Sequence, residues 1–368
     1  MPNNQVDLTF NEYMTLSDIM KATHGGKHPL SLIMDEYVKP LTLGADIPAC
    51  EASDKFEDIG FFAEPWEFEK VSDTTDLDGG SKYYKTGNYA RKDIMGMRSS
   101  AIGINERNYL ASGANGDLWR AQQTFQRVKH LALDKEHDMF YGDPTVDPNQ
   151  GLGLMPRFNI LTDEDGEIQN GAHAGELSPY VTIDGSQGSI TTENKDNYAN
   201  KLGSIYLIHL SSNDGVCWIY PKDSYYTAGL RYHRGEFHDV EYQQNGETYV
   251  KRQASDIFEQ VGGIAMKSRK SAIRIANIDF NSQTGLDNFD KALYQAFEAV
   301  PTEFQSSILI YAPKRCIASM KQYYRNKMIP NVNTYEGAKP MNLKGDFSID
   351  GMMFRRCEQL TLKESYVG

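Results

Sequence analysis

The chain has 368 residues, enough for one large or two ordinary domains, and its 40% hydrophobic and 11% aromatic content can fill a core. Asp and Glu number 50 against 38 Lys and Arg, a formal net charge of −12, so a general grip on nucleic acid is not expected. No apolar run reaches the roughly 18 residues of a membrane span, and the polar, acidic start MPNNQVDLTFNEYM does not read as a secretory signal.

Residues 1–50 read as an arm with short helical pieces, Leu8–Met14 and Leu30–Tyr37. His24 and His28 have the spacing of a helical metal pair. Gly25 and Gly26 between them and Pro29 behind them predict a turn there instead. Residues 51–111 look extended. Phe61, Phe62, Trp66 and Phe68 lead to an Asp78-Gly79-Gly80 turn, then Tyr83, Tyr84 and Lys85 follow, and alternation resumes at Ser100–Glu106. A long two-stranded ribbon is marginal alone in water, so this one needs a surface to lie on.

The next stretch organises the chain. Leu118, Ala121, Phe125, Val128 and Ala132 recur at steps of three and four and predict one amphipathic helix. Gly113, Asn115 and Asp117 start it, Gly142 and Pro144 stop it, and Arg120, Gln123, Arg127, Lys129 and Glu136 take its polar face. From Asp117 to Phe140 it would be roughly 35 Å long. Gly142, Pro144, Pro148, Gly151, Gly153 and Pro156 then read as a hinge or junction between modules.

Residues 160–260 read as strands and turns: a buried strand over 203–210, a second over 216–220 ended by Pro221, and an Asn245-Gly246 hairpin over 240–251. Asp163–Gly166 lacks the ligands of a calcium loop and reads as a turn. Residues 258–280 continue as β structure, with Asn277 and Asp279 as strand-end turn residues. A helix over 286–301, a strand over 307–311, a helix over 314–327 opened by Pro313, a loop over 328–346 and a closing strand pair over 347–360 complete an α/β sheet.

No Gly-x-Ser-x-Gly elbow, His-Glu-x-x-His pair, Walker loop or dinucleotide fingerprint is present. His130 and His137 lie two turns apart on the central helix and read as surface or core histidines. Cys50, Cys217, Cys316 and Cys357 are scattered singly and read as free thiols. The expectation is a chain with no catalytic residues, no cofactor and no metal.

A long helix ending in Phe140-Tyr141-Gly142-Asp143, followed by Gly153-Leu154, Pro156-Arg157 and Asn159, resembles the major capsid proteins of tailed phages, of the podovirus type. Ile219-Tyr220-Pro221-Lys222, Arg274–Asp279 and Ile349–Cys357 extend the resemblance, in order, over residues 60–360. Residues 1–50 and 170–200 have no counterpart in it. The resemblance implies an α+β, Hong Kong 97-like capsid fold. Its parts would be an N-terminal arm (1–54), an extended β-hairpin loop (55–105), a spine helix and junction of a peripheral domain (106–159), a mixed α/β axial domain (160–345) and a returning C-terminal strand (346–368).

It further implies self-assembly into hexamers and pentamers of an icosahedral head that encloses double-stranded DNA without sequence-specific binding. Scaffolding, portal and decoration proteins would be partners, the virion the location, the host cytoplasm the place of assembly, and no membrane would be involved. Trp66, Phe68, Tyr83, Tyr84, Lys85 and Arg91 become candidates for inter-subunit contact. Lys82, Lys85 and Lys92 lie where some relatives cross-link, and non-covalent contacts are expected here. Two rival readings are a shell protein of an encapsulin-like bacterial nanocompartment and an aromatic-rich β enzyme acting on carbohydrate. The second would need two carboxylates at fixed separation in a cleft.

Overall fold

The structure is a computed structural model. It describes the chain except residues 1–40, 53–55, 63–87, 112, 114–115, 223–228, 245–246, 329–346 and 350–351. The described elements begin with α1 (Leu43–Asp46), β1 (Ala49–Ala52), β2 (Phe56–Phe62), β3 (Asn88–Ile94), β4 (Gly96–Asn105), α2 (Glu106–Ala111), α3 (Gly116–Tyr141) and α4 (Leu154–Arg157). They continue with β5 (Val181–Asp184), β6 (Leu202–His209), β7 (Val216–Pro221), β8 (Leu230–His233), β9 (His238–Gln244), β10 (Glu247–Met266) and β11 (Ala272–Asp279). The last are α5 (Gln283–Ala299), α6 (Thr302–Gln305), β12 (Ile308–Pro313), α7 (Lys314–Met328), β13 (Phe347–Ile349) and β14 (Met352–Cys357).

Two six-stranded sheets form. One runs β1-β7-β10-β4, with β8 and β9 also on β10; the other runs β13-β14-β12-β6-β11-β5. Strands β2 and β3 make a separate two-stranded ribbon. The hairpin expected around Asn245-Gly246 is the β9–β10 pair, with Gln244 opposite Glu247. Its second arm does not stop near residue 251. It runs on as one 20-residue strand, roughly 66 Å long, which pairs in turn with β9, β8, β4 and β7.

The second sheet is buried on both faces. Ile205 and Leu207 of β6, Ile310 of β12, and Ile273 and Ile275 of β11 face α5 and α7. Tyr206, Ile208 and Tyr311 point the other way, toward α3. The period of two in an extended strand therefore gives one sheet two helical coverings. One irregularity maintains this. Asn277 has φ +57 and inserts an extra residue between the Ile275 and Ile278 pairings, so Ile278 returns to the face of Ile273 and Ile275. Asn277 is thus a buried bulge residue and not a strand-end turn residue. Its amide bonds Val367 twice, N–H to Oδ1 at 2.9 Å and Nδ2 to carbonyl at 2.7 Å.

The central helix forms as the periodicity predicts, with 26 residues and a length of about 39 Å. Its expected polar face is corrected at two positions, since Arg120 and Glu136 are buried. Arg127, Lys129, His130 and His137 are exposed. The turn-rich junction after the helix is packed. Gly142 and Gly151 are buried, and a Cβ at Gly142 would meet the Gly151 carbonyl oxygen at 2.4 Å. A backbone approach that close admits only glycine.

Helix α5 begins at Ser282, whose hydroxyl accepts the Gly285 N–H at 3.0 Å. Ser282→Ala should lower the unfolding free energy by about 1 kcal/mol, read by urea titration, while Ser282→Asp restores it. An unchanged midpoint in Ser282→Ala would show that the cap contributes nothing.

Candidate functional site

Among the described residues, no group of three or more His, Cys, Asp and Glu side chains is placed to hold a metal ion. The four cysteines are free, three of them buried. Two grooves of about 320 and 400 Å³ open on the surface. The first lies between α3, β4 and the 147–150 turn, and the second between the start of α7 and residues 358–363. Neither brings a nucleophile to a base. A Ser/His/Asp array not foreseen from sequence does occur. His209 Nδ1 lies 2.6 Å from Ser307 Oγ and its Nε2 lies 3.3 Å from Asp214. The Ser307 hydroxyl also donates to the Phe304 carbonyl at 3.0 Å, and the His209 ring stacks on Phe304 at 4.3 Å. Neither groove opens on this array, which ties the start of β12 to the turn after β6.

What the molecule does concentrate is buried charge around α3. Near the start of the helix, Arg120 donates twice to Asp256 of β10, at 2.9 and 2.5 Å, and to the Gly235 carbonyl at 2.7 Å. Further along, Lys135 is fully enclosed. It donates to the Gly262 carbonyl at 3.0 Å and sits 4.8 Å over the Trp218 ring. Burial pushes its ammonium down to about 8, against the pull of Asp138. One carboxylate oxygen of Glu136 accepts the Thr42 and Leu43 backbone N–H groups at 2.6 and 2.7 Å, so it caps α1. Burial holds this carboxyl above the usual range. Asp138 receives Arg98 of β4 in a two-pronged pair at 2.5 and 2.7 Å.

The junction and the chain's last residues close on the same helix. Arg157 of α4 bonds Asp93 of β3 at 2.5 Å with both side chains fully buried. It also donates to the Leu152, Gly153 and Ile264 carbonyls, and Asp93 accepts the Met266 N–H. All three nitrogens of the guanidinium are therefore engaged, as a buried Arg requires. Glu364 accepts from Arg274 and Tyr141, each at 2.8 Å, and from the Ser204 hydroxyl. Tyr141 in turn accepts the Thr361 N–H at 3.0 Å. The α1 segment, strands β4, β10 and β11 and Glu364 are thus fixed relative to one helix, and β3 relative to α4, by charge-assisted bonds, each stronger than its neutral counterpart.

Of the contact candidates, Trp66, Phe68, Tyr83, Tyr84 and Lys85 lie outside the described residues. Arg91 lies in β3, opposite Ile59 of β2. The β2–β3 ribbon pairs with no third strand among the described residues. Of the residues that tie the molecule together, Arg120 was read on the polar face of the helix and Arg157 and Arg274 entered only as part of the resemblance, while Asp93, Lys135, Asp256 and Glu364 were not singled out by sequence reasoning. Their signal would have been charged residues at positions of an apolar period.

Residues 74–368 match the family described as Major capsid protein GP7. By structure, the chain is similar to that of bacteriophage Epsilon15, with a TM-score of 0.57, 15% identity and 88% of each chain covered. Similarity to the bacteriophage JBD30 capsid has a TM-score of 0.43 at 10% identity, covering 88% of this chain and 90% of that one. The SrpI encapsulin of Synechococcus elongatus gives 0.38 at 10% identity, covering 65% of this chain and 88% of that one. No curated protein matches the chain by sequence.

Two measurements probe the buried charges. Arg157→Ala strands Asp93 in the core and should cost about 3–5 kcal/mol, read by denaturant unfolding; Arg157→Met with Asp93→Leu should cost less. For Lys135, the folded pKa lies below the unfolded one, so the unfolded chain binds more protons between about 8 and 10.5. The contribution of Lys135 to stability should therefore rise with pH across that window. The full rise is about 3 kcal/mol at 1.36 kcal/mol per pH unit, and Lys135→Met should abolish it. Because burial pushes the Cys316 and Cys357 thiols up, and they lower stability over the same window, the effect is read as the difference between wild type and Lys135→Met; a difference that stays constant from pH 8 to 10 would contradict this.

Proposed function

Because the chain belongs to the major capsid protein GP7 family, a family of structural rather than enzymatic virion proteins, we propose that it builds the icosahedral head of a tailed phage around double-stranded DNA. The match over residues 74–368 carries this reading. The fold shared with the Epsilon15 chain is consistent with it: α+β, with a long helix between two mixed sheets. The protein is a component of the virion capsid and assembles from many copies of itself. The finer assignments are ours. Copies meet as hexamers and pentamers, and scaffolding, portal and decoration proteins join them, with assembly in the host cytoplasm.

In this reading residues 1–54 act as an arm reaching a neighbour and residues 55–105 as an extended loop. Residues 106–159 are the peripheral spine and junction, residues 160–345 the axial unit, and residues 346–368 the returning strand. Trp66, Phe68, Tyr83, Tyr84, Lys85 and Arg91 touch the adjacent copy. Two features support the reading. The β2–β3 ribbon has no third strand among the described residues and needs a surface. The net charge of −12 suits a container that encloses DNA without gripping it.

Expression of the chain alone, or with its upstream neighbouring gene, should yield closed shells or rings of five or six by sedimentation and negative-stain imaging. Removal of residues 63–87 should leave a folded subunit, by circular dichroism, that no longer closes shells. A wild-type protein that stays monomeric with and without the neighbouring gene product would refute the reading.

A further inference from the structure

Charge is spread unevenly along this chain. Helix α7 carries five Lys and Arg and no Asp or Glu, in a molecule whose net charge is −12. Residues 161–200 are the opposite, with eight Asp and Glu against one Lys. At the start of α7, Lys314, Arg315 and Lys363 line the groove of about 400 Å³, and all three are exposed. Exposed Arg356 adjoins them through Glu358, which lies 2.8 Å from Arg356 and 3.9 Å from Lys314. One carboxylate therefore stands among several cations. In the acidic stretch Glu164, Asp165, Glu167, Glu176, Glu193 and Asp196 are exposed. Their local cations are few: Lys270 is 4.0 Å from Asp165, and His173 is 3.1 Å from Glu176. Exposed pairs of this kind hold little energy and leave the field of the surrounding carboxylates in place.

The two regions sit on opposite sides of one sheet, whose order is β13-β14-β12-β6-β11-β5. Strand β12 leads into α7, and residues 358–363 follow β14, so the basic groove lies on the β12–β14 side. The acidic stretch surrounds β5, the last strand of the order. The Thr162 N–H donates to the Thr182 carbonyl of β5 at 2.8 Å, which hangs the 163–167 turn from that strand, and residues 185–200 continue directly from it. Strands β6 and β11 lie between, so β12 and β5 are about 14 Å apart. A hydrogen-bonded sheet cannot fold its own two sides together. Each side is left to meet the opposite charge on another molecule. Two unlike patches on one surface are what a head-to-tail contact uses, and such contacts close into rings.

We propose that the basic groove at the start of α7 receives the acidic 161–200 stretch of a second copy of this chain, so that copies join head to tail around a ring. The inference rests on the assembly reading and adds to it the polarity of the contact and the two surfaces that meet. Exposed charges of this kind steer encounter and fix which side meets which, more than they add affinity.

Charge reversal tests this. Lys314→Glu with Arg315→Glu and Lys363→Glu turns the basic side acidic. Glu164→Lys with Asp165→Lys and Glu193→Lys turns the acidic side basic. All six positions are exposed, and glutamate suits the first turn of a helix, so both variants should keep the wild-type circular dichroism. Each alone should form rings or shells about tenfold more slowly at low salt. All six changes in one chain should restore assembly. A mixture of the two reversed variants must alternate around a ring, so it should return rings of six and no rings of five. A second reading needs no variant: carbodiimide, which joins an amine to a touching carboxylate, should link Lys314 or Lys363 of one copy to the acidic stretch of another in the assembled wild type. Wild-type assembly by the folded basic-side variant would overturn the proposal, and if that variant instead retained double-stranded DNA less well, the groove would belong to nucleic acid. Absence of the cross-link, no recovery by the folded six-change chain, or rings of five from the mixture would overturn it too. Failure of the wild type to assemble at all would instead bring down the assembly reading, and this inference with it.

Discussion

Burying a charge is tolerable only when its partners come with it. In this molecule that rule fixes where each segment must lie on helix α3. Arg120, Lys135, Glu136 and Asp138 project from one 26-residue helix into its packed surroundings, and each is met by a different stretch of chain. Those stretches are the middle of β10, the β7–β10 ladder, the α1 segment and β4. Apolar packing alone would let these elements slide along a long helix. Directional bonds to buried charges set their position.

The same logic joins the two sheets. Phe140 packs tilted and Phe158 edge-on against Tyr206 where α3, β6 and α4 meet, and the Arg274–Glu364–Tyr141 set adjoins that aromatic cluster. Arg157 and Asp93 hold the root of the ribbon to α4 and β10. The junction after the helix carries many glycines and prolines. It is nonetheless a tightly packed seam, because the glycines are there for close approach: the Gly153 N–H donates to the Gly142 carbonyl, the Leu152 N–H to Ile94 of β3, and the Asn149 carbonyl accepts the Met97 N–H of β4.

Much of this was legible in the sequence. The central helix, the buried 203–210 strand, the Asn-Gly hairpin, the two helices after residue 280 and the closing strand pair all follow from periodicity and turn chemistry, which are local signals. The ordered blocks from Phe140 to Cys357 carried the family. Three things were not legible. The burial of Arg120 and Glu136 depends on partners more than ninety residues away. The continuity of β10 depends on strands that pair with it from four parts of the chain. The bulge at Asn277 is decided by the need to keep Ile278 on the face of Ile275. None of these leaves a local pattern, since each is fixed by a distant surface. The contact candidates beyond residue 62 belong to a stretch the structure does not describe, apart from Arg91.

The sheet built on β10 has a cost in time. Cys50 pairs with Ile219, Met97 with Val261, and Trp218 with Ile264, so most of its ladders close very long loops before any contact rewards them. Only the β9–β10 hairpin is local. A chain of this contact order folds slowly, and its half-made sheets expose strand edges to whatever is nearby. During rapid synthesis the nearest neighbours are other unfinished copies. A half-made sheet is then as ready to join a misfolded chain as its own later strands, so the rate of synthesis relative to folding governs the yield of sound subunits.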